Sequence, residues 1–475
     1  MNILSRFFSV DKMVKPEYLA GDLIGTREAY SNLVKIAIPS IVEMVFVSLI
    51  DSVDVIMVGR LGFAAIASVG LATQPRLIMM SLFFALNTGV TAIVARRKGE
   101  DRREDANRAL RNALVIVMCM AAVVTTISIT FSRQIMLIAG AQEDTIDGAV
   151  AYFRIMSYFM PVSVLTMCIN AAQRGVGNTR TAMIANISAN AVNAFFNYLL
   201  IYGNWGFPRL GIAGDAWASG IGICVGLVIS CAIMFGKKGS KNFLHIRFRE
   251  SWRLDKPTVM SIFKIGGNSM LEQVAQRIGV FIYAIVIANL GTAAFAAHQV
   301  GMQFLIFSFN FGNGLSAASV SLVGQMLGKK RADLAIVYGK CSQRLALFIS
   351  VILAASIVIF RSPLVSIFLD RKDAANALSF GMAMSLMLVV ALFQPLQTSN
   401  VVFSGCLRGA GDNFYVAVVM MICVTVIRPV LSVLAVYVFG LGLMGAWGAS
   451  LVDMGLRLTL VNARFAGSKW HDKKV

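Results

Sequence analysis

Residues 35–45 read KIAIPSIVEMV, and residues 264–274 read KIGGNSMLEQV. At this offset of 229, Lys35 pairs with Lys264 and Glu43 with Glu272. The same offset aligns LGFAAIASVGLATQ (61–74) with LGTAAFAAHQVGMQ (290–303), which pairs Gln74 with Gln303. Further on, QRGVGN (173–178) matches LRGAGD (407–412) at an offset of 234, which also pairs Pro161 with Pro395. Finally, LGIAGDAWAS (210–219) matches LGLMGAWGAS (441–450) at 231. Four anchors in one order make the chain two copies of a single unit.

Each copy is rich in lipid-compatible sequence. Of 475 residues, 57% are hydrophobic and 14% charged, against about 45–50% and 25% in soluble proteins. Apolar windows near 33–57, 66–95, 109–131, 149–172, 181–203, 212–236, 259–289, 296–325, 340–360, 376–404, 414–439 and 443–463 predict twelve transmembrane helices. Their polar interruptions are mostly Ser, Thr, Asn and Gln, which bundled helices satisfy internally. Six spans per copy bring both copies in from the same side, as parallel repeats about an axis along the membrane normal.

The expected architecture is therefore an all-α membrane protein. Two six-helix lobes, 33–236 and 259–463, surround a central cleft, joined by a linker at 237–258 and flanked by segments 1–32 and 464–475. The net charge of +19 sits between spans, in RRKGEDRREDANRALR (96–111), in the linker and in GKKR (328–331). The alternate connections GRLGF, GNWGFPRLG, NLG and GLGL hold one arginine or none, and only Arg361, Arg371 and Lys372 of the ninth dilute the contrast. By the positive-inside rule both termini are cytoplasmic, and the basic excess reads as a topology signal rather than a nucleic-acid surface. The first 25 residues lack a signal-peptide pattern. The seven cysteines lie in or beside apolar segments without a CxxC pair, as inert small hydrophobes.

No GxxxxGK[ST] loop is present, so transport has to draw on an ion gradient rather than on ATP. Carboxylates inside a span are the usual sensors of such a gradient, because an ionised acid in low dielectric is readily neutralised by a proton or a cation. FVSLIDSVDVIMVGRLG (46–62) carries Asp51 and Asp54, about 60° apart on one helix and close enough to resist ionising together. Glu43, three turns before Asp54, extends an acidic stripe. In NISANAVNAFFNYLLIYG (186–203), Asn190, Asn193 and Asn197 share a face and offer uncharged amide oxygens, of the kind hard cations accept beside a carboxylate. Interhelical hydrogen bonding is the plainer use of these amides. Arg428 and Asp453 are intramembrane charges expected to pair, and His298 reads as a packed polar residue. GICVG (222–226) reads as a helix-packing face. The 25 methionines and 31 phenylalanines are mostly lipid or core contacts, with some suited to a promiscuous pocket.

VDVIMVGRLGFAAIASVGL (53–71), LGTAAFAAHQV, RGVGNTRTA and LRGAGDN together resemble the multidrug and toxic compound extrusion (MATE) family, over about residues 30 to 463. The resemblance implies a non-enzymatic antiporter that exports organic, often cationic, compounds in exchange for H⁺ or Na⁺ from an inner or plasma membrane. No cofactor beyond the coupling ion and no oligomer is expected. Residue by residue, it implies ion coupling at Asp54, at Asn193 and Asn197 in the fifth helix, and at Ser219 in the sixth. Asp54, Asn193 and Asn197 would be the Na⁺ ligands if Na⁺ is the ion, and Asp51 and Glu43 stand as further members. Pro39 matches a first-helix proline associated with bending, where the missing i→i−4 bond weakens the helix. Gln276 and Gln397 stand where one branch of the family has acids. Glu272, one turn before Gln276, is a secondary candidate alongside Asn190 and Asp453. The alternative is a lipid-linked oligosaccharide flippase of the same superfamily, which needs an Arg- and Lys-rich cleft. The spans hold few such residues, chiefly Arg154, Arg277 and Arg428. A receptor or channel leaves the acidic stripe unexplained.

Overall fold

The computed structural model describes residues 7–11, 13–235, 242–246, 250–369, 377–471 and 473. Part of the linker 237–258, Arg371 and Lys372 of the ninth connection, and part of the tail 464–475 lie outside the described residues.

Twelve helical rods run through these residues: α1 (Thr26–Gly59), α2 (Phe63–Gly99), α3 (Arg103–Thr130), the pair α4a (Ile146–Tyr158) and α4b (Met160–Gly175), α5 (Thr179–Tyr202), α6 (Ile212–Phe235), α7 (Lys256–Ala288), α8 (Thr292–Gly328), α9 (Ala332–Ile359), α10 (Ala377–Gly409), α11 (Asn413–Val438) and α12 (Gly442–Ala466). Among the described residues, nine are long and apolar enough to cross a membrane, and the α4 pair, bent by 50°, makes a tenth. The remaining two, α8 and α12, are more polar, and the fold buries some of those residues, His298 in α8 and Asp453 and Arg457 in α12. Side chains such as Ile78, Val228 and Phe281 are more than 60% exposed, as a lipid-facing surface requires and water would not tolerate.

The repeat is visible in the backbone. Gly62 and Gly291, Gly177 and Gly411, and Gly211 and Gly442 are pairs at the sequence offsets, with φ of 112° and 98°, 80° and 85°, and 57° and 55°. Residues other than glycine rarely adopt these angles, so the paired glycines mark equivalent helix boundaries in the two copies. Asp101 and Lys330 repeat the pattern at φ 58° and 59°. The copies differ at the paired prolines. Pro161 opens α4b just after the bend, whereas Pro395 is carried inside the continuous α10.

The chain divides into two compact units, residues 42–267 and residues 1–41 with 268–475. The divisions fall inside α1, two residues past the buried Pro39, and inside α7, just past Gly266 and Gly267. In the first unit, Tyr152, Phe153 and Met156 of α4a pack with Ala72, Met136 and Ala216. The segment 242–246 is tied to the start of α3, where Arg103 donates to the carbonyl of Asn242 at 2.7 Å and the backbone N–H of His245 donates to Asn107 at 3.0 Å. In the second unit, Val10, Met13 and Leu33 join a core built on α8 to α12. Lys340 donates to the carbonyl of Met13 at 2.6 Å and anchors the N-terminal segment.

Each unit also contains one buried ion pair at repeat-equivalent positions. In the first, Arg174 at the end of α4b donates to Glu43 of α1 at 2.8 Å, and Asn186 of α5 donates to the same oxygen at 2.5 Å. In the second, Arg408 at the end of α10 pairs with Glu272 of α7, joined at 3.5 Å by Gln276. Glu43 is 1% exposed, so removing its partner leaves a bare buried charge. Arg174→Ala should lower stability by about 3–5 kcal/mol, read as a fall in the thermal midpoint of the detergent-solubilised protein. The double variant Glu43→Gln with Arg174→Gln should recover most of that loss.

Candidate functional site

In the unit 42–267, the second half of α1 and helices α2, α4a, α4b, α5 and α6 enclose a cavity of about 310 Å³. Its geometry starts with α6. Gly222 and Gly226 lie against Ala189 and Ala185 of α5, and a side chain at 222 would run into the carbonyl of Ala189. The glycines therefore let α5 and α6 approach closely. At that contact, Asn193 Nδ2 donates to Ser219 Oγ at 2.9 Å. One turn along α5, Asn197 Nδ2 donates to Asp54 Oδ1 of α1 at 2.8 Å. Each amide uses its N–H on a neighbour and leaves its Oδ1 buried without a partner. Asn193 is 5% and Asn197 0% exposed. A carboxylate with two free amide oxygens and a hydroxyl is a donor set for a hard cation, or for a proton on Asp54.

Asp51, exposed on the protein surface, lines the same cavity one turn before Asp54 and interacts with Arg76 of α2. Arg76 also lies within electrostatic reach of Tyr152 of α4a, which lines the same cavity. A third acid, Asp215 in the first turn of α6, is 4% exposed and lies within electrostatic reach of Asn197, Asp54 and Arg76. The sequence reading passed over all three of Arg76, Tyr152 and Asp215. Asp215 was legible, since it stands in GIAGDAWAS four residues before Ser219 and thus on the same helix face. Arg76 and Tyr152 carry no local signal. Among the described residues, no group of three or more His, Cys, Asp and Glu side chains is arranged to hold a metal ion, so a cation here would rest on carboxylate and amide oxygens together.

The other sequence candidates make different contacts. Glu43 is held by Arg174 and Asn186, apart from the Asp51 and Asp54 carboxylates. Asn190 lines the cavity, but its amide N–H turns back to the carbonyl of Asn186 at 2.8 Å. Glu272 is paired with Arg408. Gln276 and Gln397 face a separate cavity in the other unit. Asp453 accepts from Arg428 at 2.9 Å and, beyond the expected pair, from Arg457 at 2.9 Å. His298 sits in an aromatic box of Tyr283, Phe295 and Trp447.

The family model MatE matches residues 39–199 and 269–434, one segment in each copy of the repeat, and the chain belongs to that family of membrane transporters. It is 26% identical over 458 residues to the "Probable multidrug resistance protein NorM" of Thermotoga maritima, covering 94% of each chain. It is 23% identical to the "Uncharacterized transporter YisQ" of Bacillus subtilis, over 93% of this chain and 95% of that one. Its fold matches the structure titled "Outward-facing conformation of a multidrug resistance MATE family transporter of the MOP superfamily" with a TM-score of 0.85 at 20% identity, covering 95% and 97% of the two chains. It also matches "Crystal structure of MATE in the bent conformation" with a TM-score of 0.84 at 20% identity, over 92% and 96%.

Asn197 is the residue on which the arrangement turns, because its amide ties α5 to the Asp54 carboxylate of α1. Asn197→Leu removes the donor to Asp54 and should cost about 1.5–3 kcal/mol, the worth of a hydrogen bond to a charged group. Thermal unfolding in detergent reads this loss, and Asn197→Gln should cost less.

Proposed function

We propose that the protein exports organic compounds, chiefly cations, in exchange for H⁺ or Na⁺, and that Asp54 couples the two movements. The observation that carries this reading is the bond from Asn197 to Asp54 at the wall of a polar cavity, with two buried amide oxygens left free beside it. Asp51 and Asp54 line the cavity with Arg76 and with Arg174, whose charge Glu43 balances, and Asp215 stands within electrostatic reach of Asp54, so carboxylates are in excess and the site favours positive charge. An ion from outside and an organic cation from inside would then compete for the same carboxylates, and that competition is the basis of exchange. In this cycle the incoming ion neutralises Asp54, α1 yields near Pro39, and substrate leaves outward. One charge crossing 100 mV supplies about 2.3 kcal/mol, enough for a concentration ratio of several tens. The names of the relatives, multidrug resistance proteins among them, support the substrate class.

The proposed setting is a cell inner or plasma membrane, crossed by a monomer with both termini in the cytoplasm. The basic clusters after α2, after α6 and after α8 support that orientation.

Efflux of a fluorescent organic cation from proteoliposomes, under separately imposed pH and Na⁺ gradients, tests the coupling. One gradient should drive the wild type, and Asp54→Asn should lose at least tenfold in rate while still folding. Transport unimpaired in Asp54→Asn would sink the assignment. Pro39→Ala restores the backbone N–H that a helix lacks at proline. It should leave the thermal midpoint unchanged or raised while slowing efflux several-fold, and an unchanged rate would remove Pro39 from the cycle.

A further inference from the structure

The unit that contains residues 268–475 has a cavity of its own, about 270 Å³, among α7, α8, α10, α11 and α12. Its charge is opposite in sign to that of the Asp54 cavity. Arg428 and Arg457 line it, and among the described residues no carboxylate does. Behind them lies Asp453, 0% exposed, whose Oδ2 accepts from Arg428 Nε at 2.9 Å and from Arg457 at 2.9 Å. One carboxylate thus faces two guanidinium groups that never lose their protons. Glu272, a turn before the lining residue Gln276, does not redress the balance, because Arg408 already neutralises it.

An excess positive charge buried in a membrane protein costs several kcal/mol unless something compensates it. The cavity is the space in which compensation fits. Two of its donors are built for an acceptor and have none among the described residues: Arg457 Nε and Trp447 Nε1, in residues 5% and 1% exposed. The backbone helps to aim the arginine. Arg428 stands between π-helical stretches Met421–Ile427 and Leu434–Val438, just before Pro429, and its guanidinium lies over Tyr283 at 5.8 Å. The rest of the wall is apolar and adaptable, with Met302, Phe393 and Met454 among its members.

We propose that this cavity binds an organic anion, with a carboxylate or sulfonate held by Arg457, Arg428 and Trp447 and an apolar body against the methionine and aromatic wall. Guanidinium groups match the planar two-oxygen geometry of a carboxylate, which a lone ammonium does not. Gln276 and Gln397 supply polar contacts without the negative charge that would repel such a ligand. Occupancy depends neither on Asp54 nor on the ion that drives transport.

Equilibrium dialysis of the purified protein in neutral detergent, with 2-naphthoate and its uncharged isostere 2-naphthamide as probes, tests the proposal. Naphthoate should bind saturably with one site per chain and at least about tenfold more tightly than the amide, the margin of a charge-assisted hydrogen bond. Arg457→Met leaves a neutral Arg428–Asp453 pair and should weaken naphthoate by a similar factor. Asp453→Asn removes the only balancing charge and should tighten it. These opposite shifts separate a binding site from general damage, and if one variant fails to fold the other still decides. Equal affinity for the two probes, or indifference to both substitutions, would overturn the assignment. So would displacement of naphthoate by low concentrations of chloride, which would make this a halide site. No ion gradient enters the assay, so failure here leaves the antiport reading standing, and failure of Asp54→Asn to impair efflux leaves this one standing.

Discussion

A glutamate near the start of each repeat, held by an arginine near the end of its fourth span, is the interaction on which the rest of the structure depends. Glu43 with Arg174, and Glu272 with Arg408, are buried pairs in surroundings where neither partner is tolerable alone. Each ties the first helix of its repeat to the helix that precedes the glycine turn at Gly177 or Gly411. Because the pairs neutralise themselves, they leave the remaining charges in each unit free to set the character of its cavity. The first pair also gives Glu43, three turns from Asp54 on nearly the same helical face, a bracing contact of its own, through Arg174 and Asn186 at the wall of the Asp54 cavity.

With the braces set aside, the two units have diverged in sign. In the first, Asp51, Asp54 and Asp215 stand around Arg76, with amide oxygens facing inward. In the second, Arg428 and Arg457 share Asp453, and Gln276 and Gln397 line the cavity without charge. The shared helix order and the paired left-handed turns show that duplication preserved the frame. Divergence then acted on the few side chains that face a cavity, where a single charge changes which ligands can be desolvated at tolerable cost.

Much of the frame was legible in the chain. Apolar windows place all twelve rods, since a helix that must satisfy its own backbone in lipid leaves a long, strong signal. The polar helices α8 and α12 were placed from apolar windows despite residues that lower their hydropathy, of which the fold buries His298, Asp453 and Arg457. The 50° bend between α4a and α4b was not legible, because Pro161 and Pro395 are equivalent in sequence while only the first accompanies a break. A proline removes one backbone bond in either case, and the neighbouring helices decide whether the helix yields there.

By itself, then, the sequence determined the class of protein, the duplication, the helices, and the residue types gathered near Asp54, because periodicity and spacing along one helix are local properties. Only the tertiary structure decided which charges meet. It put Arg174 against Glu43, brought Asp215 and Arg76 to Asp54 from different helices, and set a second arginine on Asp453. The reason is physical. Electrostatic interaction depends on separation in space and on exclusion of water, and both are fixed by how helices pack rather than by position along the chain.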